Sequence, residues 1–307
     1  RRSSDLLTDV FAACRILTDL GCRCCMQGHT AVISADGMCC EEIPERLMQE
    51  MRSSIIFLGA LLGRCGVCQL SYPGGCELGP RPIDMHLEAL RKMGAEIIQN
   101  GGRLHCCAAN GLHGAKIHLK YPSVGATENI MLAAVRAKGT TYIYNAAREP
   151  EICDLAAFLR QCGAEIYGDG GDTLVIHGVS VLHGTVYRIM PDRIAGITYL
   201  AAAAITGGTM QLKQTEPAQM ENLLPVLEQT GCRIDVAEKT LYLHAPARLQ
   251  ALPPIRTMPH PGFPTDAQPI FMALMACANG VSVFEETVFE NRYRHVDAML
   301  KMGAEIY

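Results

Sequence analysis

The chain has 307 residues, 49% of them hydrophobic and 19% charged, with a formal net charge of −4. That is apolar material for more than one core at roughly 150 residues per domain, and the slight acidity offers no basic field for nucleic acid. The longest apolar stretches, 55–63 and 199–205, fall short of the ~18 residues a membrane span needs.

The first residues, Arg1-Arg2-Ser3-Ser4-Asp5, lack the apolar core of a secretion signal, so the cytoplasm is the expected compartment. Fifteen cysteines in a chain of this length, an odd number, then read as reduced thiols, most of them small core residues.

In chain order, the first expected element is a helix over residues 7–20, ended by Gly21 and followed by a strand. The same ending recurs. Leu90-Arg91-Lys92-Met93-Gly94-Ala95-Glu96-Ile97, Leu159-Arg160-Gln161-Cys162-Gly163-Ala164-Glu165-Ile166, Leu227-Glu228-Gln229-Thr230-Gly231-Cys232-Arg233-Ile234 and Leu300-Lys301-Met302-Gly303-Ala304-Glu305-Ile306 all carry it.

The glycines stand 73, 69, 68 and 72 residues apart, a spacing too long for a solenoid and too regular for chance. A second landmark precedes the last four: an apolar helix, then glycine and a strand, at Gly66-Val67, Gly139-Thr140, Gly208-Thr209 and Gly280-Val281. Each unit thus holds two helices and several short strands, the pattern of an α/β fold built from copies. Pro191 disfavours helix at Met190, and a boundary there divides the chain into domains 1–190 and 191–307.

Function concentrates where a repeat departs from its siblings. From Gly66 to Gly94 is 28 residues, against 24, 23 and 23 for the matching intervals. The excess falls on Pro73-Gly74-Gly75-Cys76-Glu77-Leu78-Gly79-Pro80-Arg81-Pro82, whose glycines permit hinge motion. Cys76 stands among backbone N–H groups with Arg81 nearby, both able to stabilise a thiolate, which makes it a candidate nucleophile or general acid. The bland alternative is one more small residue in a turn.

The apolar helices open on Arg52-Ser53-Ser54, Ser123-Val124-Gly125-Ala126, Asp192-Arg193 and Thr265-Asp266. Such starts bind phosphates through free N–H groups and the helix dipole, or they are ordinary caps by Ser123, Asp192 and Thr265. Asp266 is a candidate general base if held near a substrate hydroxyl. Arg81, Arg148, Arg292 and Arg294 are the remaining cationic candidates.

Several of these segments resemble one family. Pro-Gly-Gly-Cys-x-x-Gly-x-Arg-Pro at 73–82, Met51-Arg52-x-Ser54, Ser123-Val124-Gly125-Ala126-Thr127, Asn145-Ala146-Ala147-Arg148-Glu149-Pro150-Glu151, Pro191-Asp192-Arg193-Ile194, His260-Pro261-x-Phe263-Pro264-Thr265-Asp266 and Thr287-Val288-Phe289-Glu290-Asn291-Arg292 occur together and in order. The chain resembles the UDP-N-acetylglucosamine 1-carboxyvinyltransferases over essentially its whole length.

The resemblance implies two inside-out α/β domains of repeated βαβαββ-like units, the enolpyruvyl transferase fold. It also implies transfer of enolpyruvyl from phosphoenolpyruvate to the 3-hydroxyl of UDP-N-acetylglucosamine, with release of phosphate, as the committing step of peptidoglycan synthesis. By motif, Cys76 meets phosphoenolpyruvate and fosfomycin, and Arg81 contacts the phosphates. Pro82, Ile83, Asp84 and Met85 hold the uracil and nearby groups. Ser123, Val124 and Gly125 bind the diphosphate, with Arg52 adding charge. Asp266 takes the hydroxyl proton, Val288 touches substrate, and Arg292 lies in the cleft. Residues 1–190 form the catalytic-loop and sugar-nucleotide domain and 191–307 the second transferase domain. No metal or other cofactor, no nucleic acid and no membrane partner is implied, and a monomer is expected.

The family's Lys-Asn pair would precede Arg1 and two arginines that grip phosphoenolpyruvate would follow Tyr307. On that expectation the chain is truncated at both ends and is inactive or nearly so. Three alternatives stand beside this reading. A 5-enolpyruvylshikimate-3-phosphate synthase performs the same transfer but lacks the cysteine loop. A zinc module would use Cys22, Cys24, Cys25, Cys39 and Cys40, or Cys65-x-x-Cys68, at spacings atypical of such sites. A non-catalytic truncated paralogue is the third.

Overall fold

In the computed structural model, residues 8–39, 41–74 and 82–307 are described. The elements follow the repeat. A first copy holds helix α1 (Thr8–Asp19) and the hairpin β1 (Arg23–Gln27) and β2 (Thr30–Ser34). The second runs β3 (Glu42–Ile43), α2 (Glu45–Glu50), α3 (Phe57–Cys65), β4 (Val67–Ser71), α4 (Asp84–Lys92), β5 (Glu96–Asn100) and β6 (Arg103–Cys107). The third runs β7 (Lys116–His118), α5 (Val124–Ala134), β8 (Thr140–Tyr144), α6 (Pro150–Gln161), β9 (Glu165–Tyr167) and β10 (Thr173–His177). The fourth holds α7 (Arg193–Ile205), β11 (Thr209–Lys213), α8 (Leu224–Glu228), β12 (Arg233–Ala237) and β13 (Thr240–His244). The fifth holds β14 (Ile255–Arg256), α9 (Gln268–Met275), β15 (Phe284–Glu285) and α10 (His295–Lys301).

The copies share one sheet plan. The order is β3-β4-β6-β5 in the second and β7-β8-β10-β9 in the third, each opening with a parallel pair and continuing antiparallel. The fourth repeats the antiparallel part as β11-β13-β12 and the fifth the parallel pair β14-β15. A parallel pair needs a crossover, which α3, α5 and α9 supply. In the second, third and fourth copies the hairpin that closes the sheet follows the glycine-ended helix.

Those helix-ending glycines justify the repeat in backbone terms. Gly21, Gly94, Gly163, Gly231 and Gly303 have φ of 91°, 96°, 97°, 94° and 91°, a left-handed turn that L side chains rarely adopt. In the fourth copy the second landmark shifts by one residue: Gly207, at φ 66°, makes the turn expected of Gly208. In the fifth, β15 begins at Phe284 rather than beside Gly280, and residues 304–307 carry no strand after Gly303.

Helices lie inside and sheets outside. Strands β6 and β10 alternate buried and more exposed residues, so one sheet face is covered and the other meets solvent. Helix α5 instead buries Ala126, Thr127, Asn129, Ile130, Met131, Ala133 and Ala134, most of its circumference. It packs on α3 at backbone distance: a Cβ on Gly59 would stand 2.1 Å from the Asn129 carbonyl oxygen, and one on Gly63 would stand 3.2 Å from that of Leu132. Both residue numbers rise together, so the two helices run parallel and their starts lie at one end.

The described residues divide into two compact units, 8–74, 82–147 and 155–186 in the first and 148–154 and 187–307 in the second. The chain changes unit near Val186, four residues before Met190, and 148–154 folds with the later residues. The second unit has its own core around Leu200, Leu223, Leu227, Leu241, Leu243 and Phe271.

The described cysteines are free thiols. Cys68 is buried opposite Cys106 across β4 and β6, and their hydrogen bond together with burial pushes its thiol far up. Among the described residues no group of three His, Cys, Asp or Glu side chains could hold a metal ion, and no helix is long and apolar enough to cross a membrane.

At Gly163 a substituent would meet the His183 ring at 3.2 Å as well as the positive φ. Gly163→Ala is expected to lower stability by about 1–3 kcal/mol, read as a lower urea midpoint at unchanged slope. A loss under about 0.5 kcal/mol would show that the turn is not a constraint.

Candidate active site

In the first unit, the starts of α3 and α4 meet at one buried amide from the middle of α5. Asn129, fully buried in α5, accepts the Gly59 N–H through Oδ1 at 2.6 Å and donates through Nδ2 to the Ile55 carbonyl at 3.0 Å. A backbone N–H can only donate and a carbonyl can only accept, so these two contacts fix which way the amide faces. Nδ2 also points at His86 Nδ1, 2.9 Å away, and therefore that ring nitrogen is the acceptor. His86 is held as the neutral tautomer with its proton on Nε2.

His86 belongs to the first turn of α4 and lies against the first turn of α5. Its Cε1 and Nε2 are 3.4 and 3.7 Å from where a Gly125 Cβ would stand, ordinary contact distances that place the ring directly against that turn. Burial drives its pKa from 6.5 to about 4, with the Asp84 carboxylate opposing weakly.

Several of the residues singled out by sequence lie near this anchor. Ser123 caps α5, its hydroxyl accepting the Ala126 N–H at 3.3 Å, and Ser123, Val124 and Gly125 are all partly open to solvent. Thr127 donates to the Ser123 carbonyl at 2.8 Å and accepts the Ala147 N–H at 3.1 Å, which ties the Asn145-Ala146-Ala147 segment to this turn. Asn145 takes a left-handed φ of 55° and donates to the Leu119 carbonyl at 2.9 Å. Pro82, Ile83, Asp84 and Met85 form the entry to α4, with Pro82 and Asp84 exposed.

Arg52 is an exposed turn residue just before a short 3-10 helix, Ser54–Ile56, that leads into α3. Neither neighbouring serine caps: Ser53 makes no capping bond, and buried Ser54 donates to the Met48 carbonyl at 2.8 Å. Cys76 and Arg81 lie outside the described residues.

The second unit brings Asp266 and Arg292 together, with Val288 on the loop that leads into the short 3-10 helix of Arg292. The Asp266 carboxylate is exposed and accepts from Arg292 Nη2 at 2.8 Å, while the Arg292 side chain is only 13% exposed and stands 5.6 Å over the Phe289 ring. The expectation that Thr265 caps a helix is corrected. Helix α9 starts after Ala267 without a side-chain cap, and the Thr265 hydroxyl donates to Glu286 Oε2 at 2.8 Å. Asp192 does cap α7, accepting from Ile194 and Ala195 N–H at 2.9 Å each. Arg193 beside it is buried and paired with both oxygens of Glu151 at 2.9 and 3.3 Å, so its charge is already matched.

Sequence reasoning passed over His86, Asn129 and Glu286. The first two stand three residues or fewer from segments it did select, but nothing in a linear pattern signals which buried polar residues meet across helices.

A family model described as EPSP synthase (3-phosphoshikimate 1-carboxyvinyltransferase) matches residues 5–307. The fold agrees: the enolpyruvyl transferase NikO from Streptomyces tendae superposes with a TM-score of 0.84 at 23% identity, covering 95% of this chain and 70% of that one. An EPSP synthase from Acinetobacter baumannii does so with 0.69 at 20%, covering 96% and 71%. The chain thus has the fold of the enolpyruvyl transferases.

Its sequence narrows the class. It is 44% identical over 300 residues to UDP-N-acetylglucosamine 1-carboxyvinyltransferase 2 of Caldanaerobacter subterraneus subsp. tengcongensis, covering 98% of this chain and 72% of the relative. It is 45% identical over 309 residues to UDP-N-acetylglucosamine 1-carboxyvinyltransferase 1 of Symbiobacterium thermophilum (99% and 70%), and 45% over 308 to the enzyme of Zymomonas mobilis subsp. mobilis (98% and 72%). The chain belongs to the UDP-N-acetylglucosamine 1-carboxyvinyltransferase family.

The His86 anchor predicts a pH effect whose sign is set by burial. Above pH 6.5 the ring is neutral whether folded or unfolded; between 6.5 and about 4 only the unfolded chain takes the proton, so stability falls as pH falls. The group's share approaches about 3 kcal/mol at the acid end. The difference in unfolding free energy between wild type and His86→Asn should shrink by that amount from pH 7 to 4; a difference independent of pH would contradict a neutral buried ring.

Proposed function

We propose that the chain carries the enolpyruvyl-transfer site of its family, moving the group from phosphoenolpyruvate to the 3-hydroxyl of UDP-N-acetylglucosamine and releasing phosphate. The observation that carries this reading is the exposed Asp266 carboxylate, held by Arg292 on the motif positions where the family resemblance requires a base.

The chemistry is an addition followed by an elimination. Asp266 removes the proton of the 3-hydroxyl as its oxygen attacks C2 of phosphoenolpyruvate, and Cys76 supplies a proton to C3. The tetrahedral ketal then loses a C3 proton and expels phosphate. Cys76 also serves as a transient nucleophile and is the thiol that opens the epoxide of fosfomycin. Arg81 and Arg52 supply the positive charge that the phosphates require.

The sugar nucleotide is bound by residues of the first unit. The free N–H groups at the start of α5, behind Ser123, Val124 and Gly125, take the diphosphate, and a neutral His86 beside them adds a donor without a counter-charge. Pro82, Ile83, Asp84 and Met85 hold the uracil end. Val288 contacts the sugar and Arg292 keeps the base oriented. Residues 1–190 act as the sugar-nucleotide and loop domain and 191–307 as the domain of the base. The enzyme works in the cytoplasm as a monomer, in the first committed step of peptidoglycan synthesis.

Phosphate release is measured with phosphoenolpyruvate and either UDP-N-acetylglucosamine or shikimate 3-phosphate as acceptor. Against the expectation that a chain without the Lys-Asn pair and the two phosphoenolpyruvate arginines turns over little or not at all, the reading expects whatever turnover there is to use the sugar nucleotide alone. That turnover should fall about 100-fold or more in Asp266→Asn and be lost on fosfomycin labelling of Cys76. Preference for shikimate 3-phosphate, or an unaffected Asp266→Asn, would overturn it.

A further inference from the structure

One carboxylate binds together the two loops that carry Asp266 and Val288. Glu286 Oε1 accepts the backbone N–H groups of Val288 and Phe289 at 2.8 and 3.1 Å, and Oε2 accepts the Thr265 hydroxyl at 2.8 Å. Thr265 is the chain neighbour of Asp266. Asp266 pairs with Arg292 at 2.8 Å, and Arg292 stands 5.6 Å over the ring of Phe289, whose own N–H returns to Glu286. The contacts form a closed ring: Thr265, Asp266, Arg292, Phe289, Glu286.

Each segment of this ring is otherwise irregular. Residues 286–291 lie between β15 and a 3-10 turn, and 263–267 precede α9 without a side-chain cap. The adjacent Thr287 anchors the loop, its N–H reaching Thr257 Oγ1 at 2.9 Å and its hydroxyl reaching the Thr257 carbonyl at 2.6 Å. An ionised carboxylate with three donors is a charge-assisted site, stronger per bond than a neutral one. Without it, two N–H groups and a hydroxyl would lose their partner together. Asp266, by contrast, has a side chain 62% exposed, and among the described residues its restraint is the Arg292 contact.

We propose that Glu286 is a positioning residue for the base: it holds the 263–267 turn and the 287–289 loop in one register, so that Arg292 keeps the Asp266 carboxylate aimed, while Glu286 touches no substrate. The inference rests on the reading of Asp266 as the base, and its test separates the two.

Glu286→Gln retains an oxygen for the two N–H groups, and its amide N–H2 can donate to a Thr265 hydroxyl that is free to turn. Glu286→Ala removes every contact. Thr265→Val removes only the link to the Asp266 turn and preserves side-chain volume. The first arm needs no turnover. Hydrogen exchange at the Val288 and Phe289 amides should accelerate at least about 10-fold in Glu286→Ala and stay near wild type in Glu286→Gln and Thr265→Val. Nitrogen NMR should find the Arg292 guanidinium restricted in the wild type and in Glu286→Gln and mobile in Glu286→Ala and Thr265→Val.

The second arm is kinetic. Glu286→Ala should lower kcat by about 100-fold and Thr265→Val by about 10-fold, with the KM for UDP-N-acetylglucosamine within about threefold of wild type. Glu286→Gln should restore most of the rate. An unchanged Arg292 signal in Glu286→Ala, a kcat within about threefold of wild type, or a Glu286→Gln no better than the alanine variant would overturn the proposal. Should Glu286→Ala fail to unfold cooperatively, Thr265→Val decides alone. An Asp266→Asn chain with wild-type turnover would remove the catalytic reading while the Arg292 signal still decides whether Glu286 orients the pair.

Discussion

The first unit depends on the amide of Asn129. Helices α3 and α5 approach so closely at Gly59 that no side chain fits between them, and that approach buries a backbone N–H and a carbonyl near the start of α3. Unsatisfied, each would cost on the order of 1–3 kcal/mol. Asn129 satisfies both and spends its remaining proton on His86, so one side chain joins α3, α4 and α5. The start of α5, partly open to solvent at Ser123, Val124 and Gly125, consequently lies beside a ring that burial keeps neutral.

The repeat was readable along the chain because its cause is local. A left-handed φ near 90° recurs at five glycines, and backbone geometry of that kind selects glycine regardless of what surrounds it. The second landmark was less exact for the same reason: with Gly207 and Gly208 adjacent, either could make the turn, and the linear pattern does not distinguish them.

Side-chain partnerships were legible only where they are local. Ser123 and Asp192 cap within three residues, and a cap can be read from sequence. Thr265 looks the same in a line of letters but is taken by Glu286, 21 positions away. Arg193, at the start of another of the apolar helices, gives its Nε and Nη2 to Glu151, 42 positions away. Long-range competition for donors and acceptors thus decides which polar residues serve the site and which brace it.

The central claim is that buried backbone groups, acting through Asn129, fix His86 as a neutral donor at the start of α5. Nitrogen NMR of the His86 ring at pH 7 tests it most directly. The account predicts a protonated Nε2 and a bare Nδ1 coupled to the Asn129 amide; an imidazolium, or a proton on Nδ1, would contradict it.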